Sequence, residues 1–323
     1  MHLGVLLFGA VLSMLHSSQA AAYMAYVSNE GSNTVSVIDT DGFKVTATIK
    51  VGQRPRGIAL TKDGRFLLVA VGDDDTIEMI DTATQRIIGT LPSGPDPELF
   101  TQDPTGKFLY IANEDDNLVT IVDIEKRIPL GEIQVGVEPE GMAMSPDGKI
   151  LVNTSETTNM AHFIDTETRE IVANVLVDSR PRFAEFKTDG SEVWVSAEIG
   201  GTVSVIDPVK REVTKKITFK IPGLRAEAIQ PVGVRITKDG SKGFVALGPA
   251  NRIAVVNGIT HEVEDYLLVG QRVWQLAFTP DEKYLLGTNG VSNDVSVVDV
   301  SSGKVINTVQ VGELPWGIAI SEE

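Results

Sequence analysis

The chain has 323 residues, no cysteine, 28 Lys and Arg against 44 Asp and Glu, and a formal net charge of −16. A hydrophobic content of 42% supplies enough apolar surface for a sizeable core and argues against disorder. The acidic balance disfavours nucleic acid and anionic membrane surfaces, and the lack of cysteine removes disulfides, thiolate metal sites, iron–sulfur clusters and CxxCH haem attachment.

Residues 3–15, LGVLLFGAVLSML, form an apolar run too short for a comfortable membrane span. HSSQA follows, with Ser18 and Ala20 at the −3 and −1 positions of a cleavage site. Residues 1–20 therefore read as a cleaved secretory signal peptide, which places the mature chain, 21–323, in the periplasm or outside the cell. The alternative is an N-terminal membrane anchor, since the segment carries no Lys or Arg. No later stretch is long and apolar enough to cross a bilayer.

From residue 23 onward the chain repeats itself. VGQRPRGIALTKDG (51–64) returns as VGVEPEGMAMSPDG (135–148) and again as VGELPWGIAISEE (311–323). The residue after each VGxx-like turn is Pro55, Pro97, Pro139, Pro181, Pro231, Val273 and Pro315, at steps of 42 with a single step of 50. Two more markers keep the same rhythm. One is the carboxylate or amide closing a VIDT-like strand: Asp39, Asp81, Asp123, Asp165, Asp207, Asn257 and Asp299. The other is Asn33, Asp75, Asn117, Asn159, Gly201, Asn251 and Asn293, residue types suited to a turn position with positive φ.

Each unit contains four short strands, in the second unit RGIALT, RFLLVAV, TIEMIDT and RIIGTLP. Apolar and β-branched residues dominate them, and Asp-Gly at 63–64, 147–148, 189–190 and 239–240 marks hairpins. Four strands per 42–50 residues is the signature of a β-propeller. Seven units predict seven blades, all-β, with four antiparallel strands each. Glu323 falls where Asp63 falls in the repeat, and Tyr23 where Arg65 falls. The C-terminus is thus expected to supply the first strand of a blade whose other three come from the N-terminus.

YVSNEGSNTVSVIDT (26–40) and YIANEDDNLVTIVDI (110–124) resemble the YVTN-type β-propeller repeat. QPVGVRITKDGSKGFVALGPANRIAVV (230–256), LLVGQRVWQLAFTPDEKYLLGTNGVSNDVSVVDV (267–300) and LPWGIAI (314–320) resemble the β-propeller family associated with pyrroloquinoline quinone (PQQ)-dependent catabolism. The YVTN-type resemblance covers the whole mature chain, and the second half carries the PQQ-associated one. The latter implies a signal peptide, a periplasmic setting and a quinoprotein dehydrogenase or transport component as partner, with PQQ as a candidate ligand. It carries no catalytic residues with it.

In a propeller the loops entering the innermost strands share one face, the top, with the loops between second and third strands. Loops on a rigid scaffold are where function concentrates. Flanking the marker prolines are Arg54 and Arg56, Asp96 and Glu98, Glu138 and Glu140, and Arg180 and Arg182. Gln230 and Val232, Arg272 and Trp274, and Leu314 and Trp316 complete the series. Glu30, Glu114, Glu156 and Glu198 occupy equivalent positions after the second strand. One reading is a polar pocket in which arginines fork onto carboxylates of a ligand and tryptophans face a flat ring. The other is that these arginines and glutamates pair with each other between neighbouring blades. The 50-residue step adds eight residues within FKIPGLRAEAIQ (219–230), which puts Arg225 and Glu227 on a longer top loop, a candidate lid or docking element.

Acidic runs at 72–76 and 113–117 lack the spacing of an EF-hand and read as solvated turns. The two histidines of the mature chain, His162 and His261, sit at different repeat positions, which argues against a shared metal. No GxSxG elbow is present. Large quinoprotein dehydrogenases have eight blades and a tryptophan-rich repeat, unlike this chain. The sequence favours a non-catalytic binding or accessory protein linked to PQQ-dependent alcohol or aldehyde oxidation, with no metal expected. The alternatives are a periplasmic lactonase-like hydrolase using Glu and Arg of the channel, or a cell-surface interaction module.

Overall fold

The computed structural model describes residues 23–321; the expected signal peptide lies outside them. Among these residues, seven four-stranded antiparallel sheets follow one another around a ring, giving a seven-bladed β-propeller. Blade 1 runs from its innermost strand, Pro55–Leu60, through Phe66–Val71 and Thr76–Asp81 to the outermost, Arg86–Pro92. Blades 2, 3 and 4 begin at Pro97, Pro139 and Pro181, blade 5 at Val234 and blade 6 at Val273. Blade 7 joins both ends of the chain: Pro315–Ile320 is its innermost strand, paired with Met24–Asn29 and followed by Thr34–Asp39 and Lys44–Lys50. Tyr26 faces Ala319 and Val27 faces Ile318 across that seam.

The markers in the sequence now have physical reasons. All seven residues of the Asn series have φ between 53° and 66°. Six of the seven residues preceding the marker prolines are also left-handed: Arg54, Asp96, Glu138, Arg180, Arg272 and Leu314. A non-glycine residue there costs roughly 1–2 kcal/mol, so something must hold it. The first series holds the second. The side-chain oxygens of Asn33, Asp75, Asn117, Asn159, Asn251 and Asn293 each accept the backbone N–H of the left-handed residue 21 positions on, at 2.9–3.1 Å. Where the series has Gly201 the acceptor is lost, and Gln230 on the longer loop has no positive φ. The Asp series closes the outer hairpins as Asx turns; Asp165 Oδ1, for example, accepts the Thr168 N–H at 2.8 Å.

The core lies between blades. One buried cluster combines Val35, Val37 and Ile49 of blade 7 with Leu67, Val69 and Ile80 of blade 1. Another joins Leu286, Val297 and Val309 of blade 6 to Ala25, Val27 and Ile318 of blade 7. The innermost strands converge closely on the axis. A Cβ added to Gly57, Gly141, Gly233 or Gly317, each two residues past a marker, would run into the backbone of the next blade's innermost strand.

Candidate functional site

The residue after each marker is the same register position in every blade, and side chains at that position converge on the channel. Around the ring it reads Arg56, Glu98, Glu140, Arg182, Val232, Trp274 and Trp316. Glu98 is 0% exposed, Glu140 1% and Arg182 6%, so these side chains form a buried septum across the channel. Above it lies a cavity of about 280 Å³ lined by Arg54, Arg56, Asp96, Glu114, Arg180, Arg182, Glu198, Arg272 and Trp274.

The septum holds together through charge pairs that cross from blade to blade. Glu98 Oε1 accepts from Arg54 at 3.1 Å and from Arg56 at 2.7 Å, and Arg56 also reaches Glu30 at 2.9 Å. Arg54 further pairs with Asp96 and with Asp73. Arg182 contacts Glu140 at 2.8 Å, Glu156, and Glu198 at 3.7 Å. Arg180 reaches Glu156 at 2.7 Å and Glu198 at 3.3 Å, and Arg272 donates to Glu198 at 3.0 Å. The expectation of pairing between neighbouring blades is therefore correct, and it coexists with a cavity.

Burial sets the protonation pattern. Desolvation raises Glu140 well above the usual carboxylate range; Arg182 opposes this, while the hydrogen bond and charge of Glu156 add to it. Glu156 moves the other way. Desolvation would raise it, but its hydrogen bond to Glu140 and the charges of Arg182 and Arg180 bring it below its ordinary value. Burial and Glu156 thus favour the neutral form of Glu140, while the arginines favour the charged form of Glu156. Glu114 is pushed up to about 7 by desolvation, then by the charge and hydrogen bond of Glu98 and the charge of Glu156, with Arg56 pulling down. Arg182 is held protonated despite desolvation by Glu140, Glu156 and Glu198. The five guanidiniums of the channel pair with Glu30, Asp73, Asp96, Glu98, Glu140, Glu156 and Glu198.

Asp96, Glu98 and Glu114 each offer a carboxylate oxygen within 4.8 Å of the others, a spacing that could hold a cation. Arg54 and Arg56 already engage Asp96 and Glu98, so the triad is neutralised from within.

Most of the candidates singled out in the sequence line this septum and cavity or, as Glu30 and Glu156 do, pair with its arginines. Arg225 and Glu227 do not. Both are exposed and line a separate, open depression with Gln230 and Pro249; Gln230 donates to the Glu227 carbonyl at 3.0 Å and accepts from Arg272 at 3.4 Å. The ends of that loop, Phe219 and Ile229, are instead buried in the core between blades 4 and 5. The tryptophans also differ from the expectation. Trp316 is 1% exposed, with Arg56 over its ring and Trp274 tilted against it at 6.3 Å. Arg272 lies 4.5 Å from the Trp274 ring centre and Arg182 5.7 Å. The indoles support arginines, and neither offers an open face to a flat ring. Asp96 was readable as a flank of Pro97, but only the structure brings it into the cavity wall.

The family described as "Lactonase, 7-bladed beta-propeller" matches residues 14–138, a segment that includes Glu30, Arg54, Arg56, Asp96, Glu98 and Glu114. No curated protein matches the chain. Among solved structures, a putative 6-phosphogluconolactonase from Bacteroides uniformis is similar at 17% identity and a TM-score of 0.79, over 93% of this chain and 100% of that one. Kuenenia stuttgartiensis hydrazine synthase is similar at 20% identity and a TM-score of 0.76, over 91% and 99%. Dihydro-heme d1 dehydrogenase NirN, in complex with DHE, is similar at 15% identity and a TM-score of 0.71, over 95% and 77%. These likenesses bear on the fold alone, and a fold does not by itself assign a chemistry.

Proposed function

We propose that the upper channel is a lactonase-like hydrolytic site for small anionic esters or lactones. The observation that carries this reading is Glu114, a carboxyl with a pKa near 7 in the wall of a cavity that also holds Arg54, Arg56, Arg180 and Arg272. A base poised near neutrality can accept a proton and return it within one turnover. The lactonase match over residues 14–138 and the B. uniformis structure support the same class.

In this mechanism the arginines hold the anionic group of the substrate and stabilise charge developing on the carbonyl oxygen. Glu114, as carboxylate, takes a proton from water as the water oxygen bonds to the carbonyl carbon. The ring C–O bond then breaks and Glu114 returns that proton to the leaving alkoxide. The second proton of the water leaves to solvent from the new carboxylic acid. The test is hydrolysis of 6-phosphogluconolactone and of its uncharged parent lactone by purified protein. Turnover above the buffer rate, faster for the phosphorylated substrate and reduced at least 100-fold by Glu114→Gln, is expected. Buffer-rate hydrolysis of both would overturn the assignment.

The five arginines also support a second reading, a non-catalytic protein that binds a polycarboxylate such as PQQ in the periplasm for a quinoprotein dehydrogenase or transport partner. The covered tryptophan faces weigh against ring stacking, so binding would rest on the guanidiniums alone. Titration calorimetry with PQQ separates the readings: saturable binding that falls with Arg56→Ala but survives Glu114→Gln is the accessory outcome.

A further inference from the structure

Below the septum the channel changes character. A second cavity, of about 370 Å³, is lined by Leu99, Phe100, Met142, Met144, Phe183 and Phe186, with Ile58, Pro146, Lys187 and smaller side chains completing the wall; the Lys187 ammonium is already held by Glu192 and the Gly258 carbonyl. Four residues past the marker the repeat reads Ala59, Thr101, Ala143, Glu185, Arg235, Ala277 and Ala319. Five members of this ring are small, which leaves the space open. Two adjacent members, from blades 4 and 5, are charged, and both line the cavity. Solvated turns explain charges on the rim, but not a charged pair placed where every equivalent residue is small and uncharged.

The pair is built asymmetrically. Arg235 stacks on the Phe183 ring, 4.9 Å from its centre. Its Nη1 donates to Glu185 Oε2 at 3.1 Å and to the Val234 carbonyl at 2.9 Å. Among the described residues, its Nε and Nη2 make no hydrogen bond, and the side chain is 24% exposed. The guanidinium is thus fixed in place with a donor edge left over. Burial raises Glu185 above its ordinary value while Arg235 opposes.

We propose that this lower cavity is a separate binding site for a small apolar monocarboxylic acid, whose chain lies among the Met and Phe side chains and whose carboxylate caps the free edge of Arg235. Guanidinium and carboxylate match as a planar fork in a site of low polarity. The volume holds about a dozen groups of ~30 Å³ each, which fits an acid of six to ten carbons (about this size by the same measure). The site is independent of the hydrolytic reading of the upper cavity, from which the septum divides it.

The experiment is titration of the purified protein with hexanoate, hexanol and hexylamine, followed by ligand-observed NMR and calorimetry. Hexanoate is expected to saturate and to bind at least tenfold more tightly than hexanol or hexylamine. Arg235→Gln should weaken hexanoate at least tenfold and bring it level with hexanol. Ala143→Leu, which fills the cavity without touching the charge pair, should exclude all three, while Arg272→Gln in the upper cavity should leave hexanoate binding unchanged. Near-UV circular dichroism verifies that each variant is folded. Tighter binding of hexylamine would assign the site to Glu185 and overturn the proposal. So would hexanoate binding that is absent in the folded wild type, or lost with Arg272→Gln and retained with Arg235→Gln.

Discussion

Arg182→Gln puts the septum to a quantitative test. The wild-type guanidinium is 6% exposed and holds Glu140 at 2.8 Å, Glu156, and Glu198 at 3.7 Å. Glutamine keeps some of the volume and removes the charge, leaving buried carboxylates facing each other. Removing one partner from a buried ion pair destabilises by about 3–5 kcal/mol. With an unfolding entropy of ~2.1 cal/mol/K per residue over ~300 ordered residues, that corresponds to a Tm lower by about 5–8 °C. The loss must depend on pH in a definite sense. Without Arg182, Glu140 and Glu156 remain folded only by binding protons that the unfolded chain releases near pH 4.3. A folded-state pKa raised above the unfolded value favours the fold at low pH and loses that advantage as pH rises. The variant should therefore approach wild-type stability near pH 5 and fall furthest behind at pH 8. Urea denaturation followed by tryptophan fluorescence at both pH values reads this out. A difference under 1 kcal/mol at pH 8, or one equal at both pH values, refutes the septum as a charge-paired layer. The double variant Arg182→Met, Glu156→Gln should recover part of the loss, because it removes one stranded charge as well.

Ring closure predicts that deleting 312–323 destabilises the whole molecule, and that Trp316→Ala alone costs about 3–5 kcal/mol, since its indole is fully buried in the innermost strand of blade 7; a truncated protein melting at the wild-type temperature would refute the closure argument. Glu114 carries two pH effects of defined sign. Hydrolytic kcat/KM should rise with pH through about 7, as the base loses its proton. Its contribution to stability should fall over the interval from the unfolded value near 4.3 up to about 7, a step that Glu114→Gln flattens in denaturation curves. Asn159→Ala removes the acceptor of the Arg180 N–H, bonded at 3.1 Å, and should cost about 1 kcal/mol and loosen the left-handed Arg180 over the cavity. Asn159→Asp, which keeps the acceptor, should behave as wild type in thermal denaturation.

Much of this molecule was legible in its sequence because a repeat reports the same physics several times. Asn33 and its six equivalents announced left-handed turns because these residue types tolerate positive φ, and the Asp39 series announced closed hairpins because its side chains satisfy backbone groups two or three residues on. The same register, cut at Glu323 and resumed at Tyr23, announced a blade shared by both ends. Local rules were sufficient for these features. They could also place arginines and glutamates at the channel mouth, because a charge at one position in each of seven blades must converge on the axis.

What the sequence could not determine is how converging side chains divide the space. Whether Trp316 faces a ligand or lies beneath Arg56 depends on contacts between blades 7 and 1. Whether Glu114 or Glu140 keeps a proton depends on desolvation and on carboxylates from neighbouring blades. Arg225 and Glu227, on the most distinctive loop, line a separate open depression and not the channel cavity. Glu185 and Arg235, fifty residues apart in the chain, become a pair only when blades 4 and 5 stand side by side. The strands, turns and ring closure follow from periodicity and short-range hydrogen bonds that the sequence itself specifies. The charge state of the septum, the two cavities and the groups exposed in them arise from packing between blades, where distance in space bears no relation to distance along the chain.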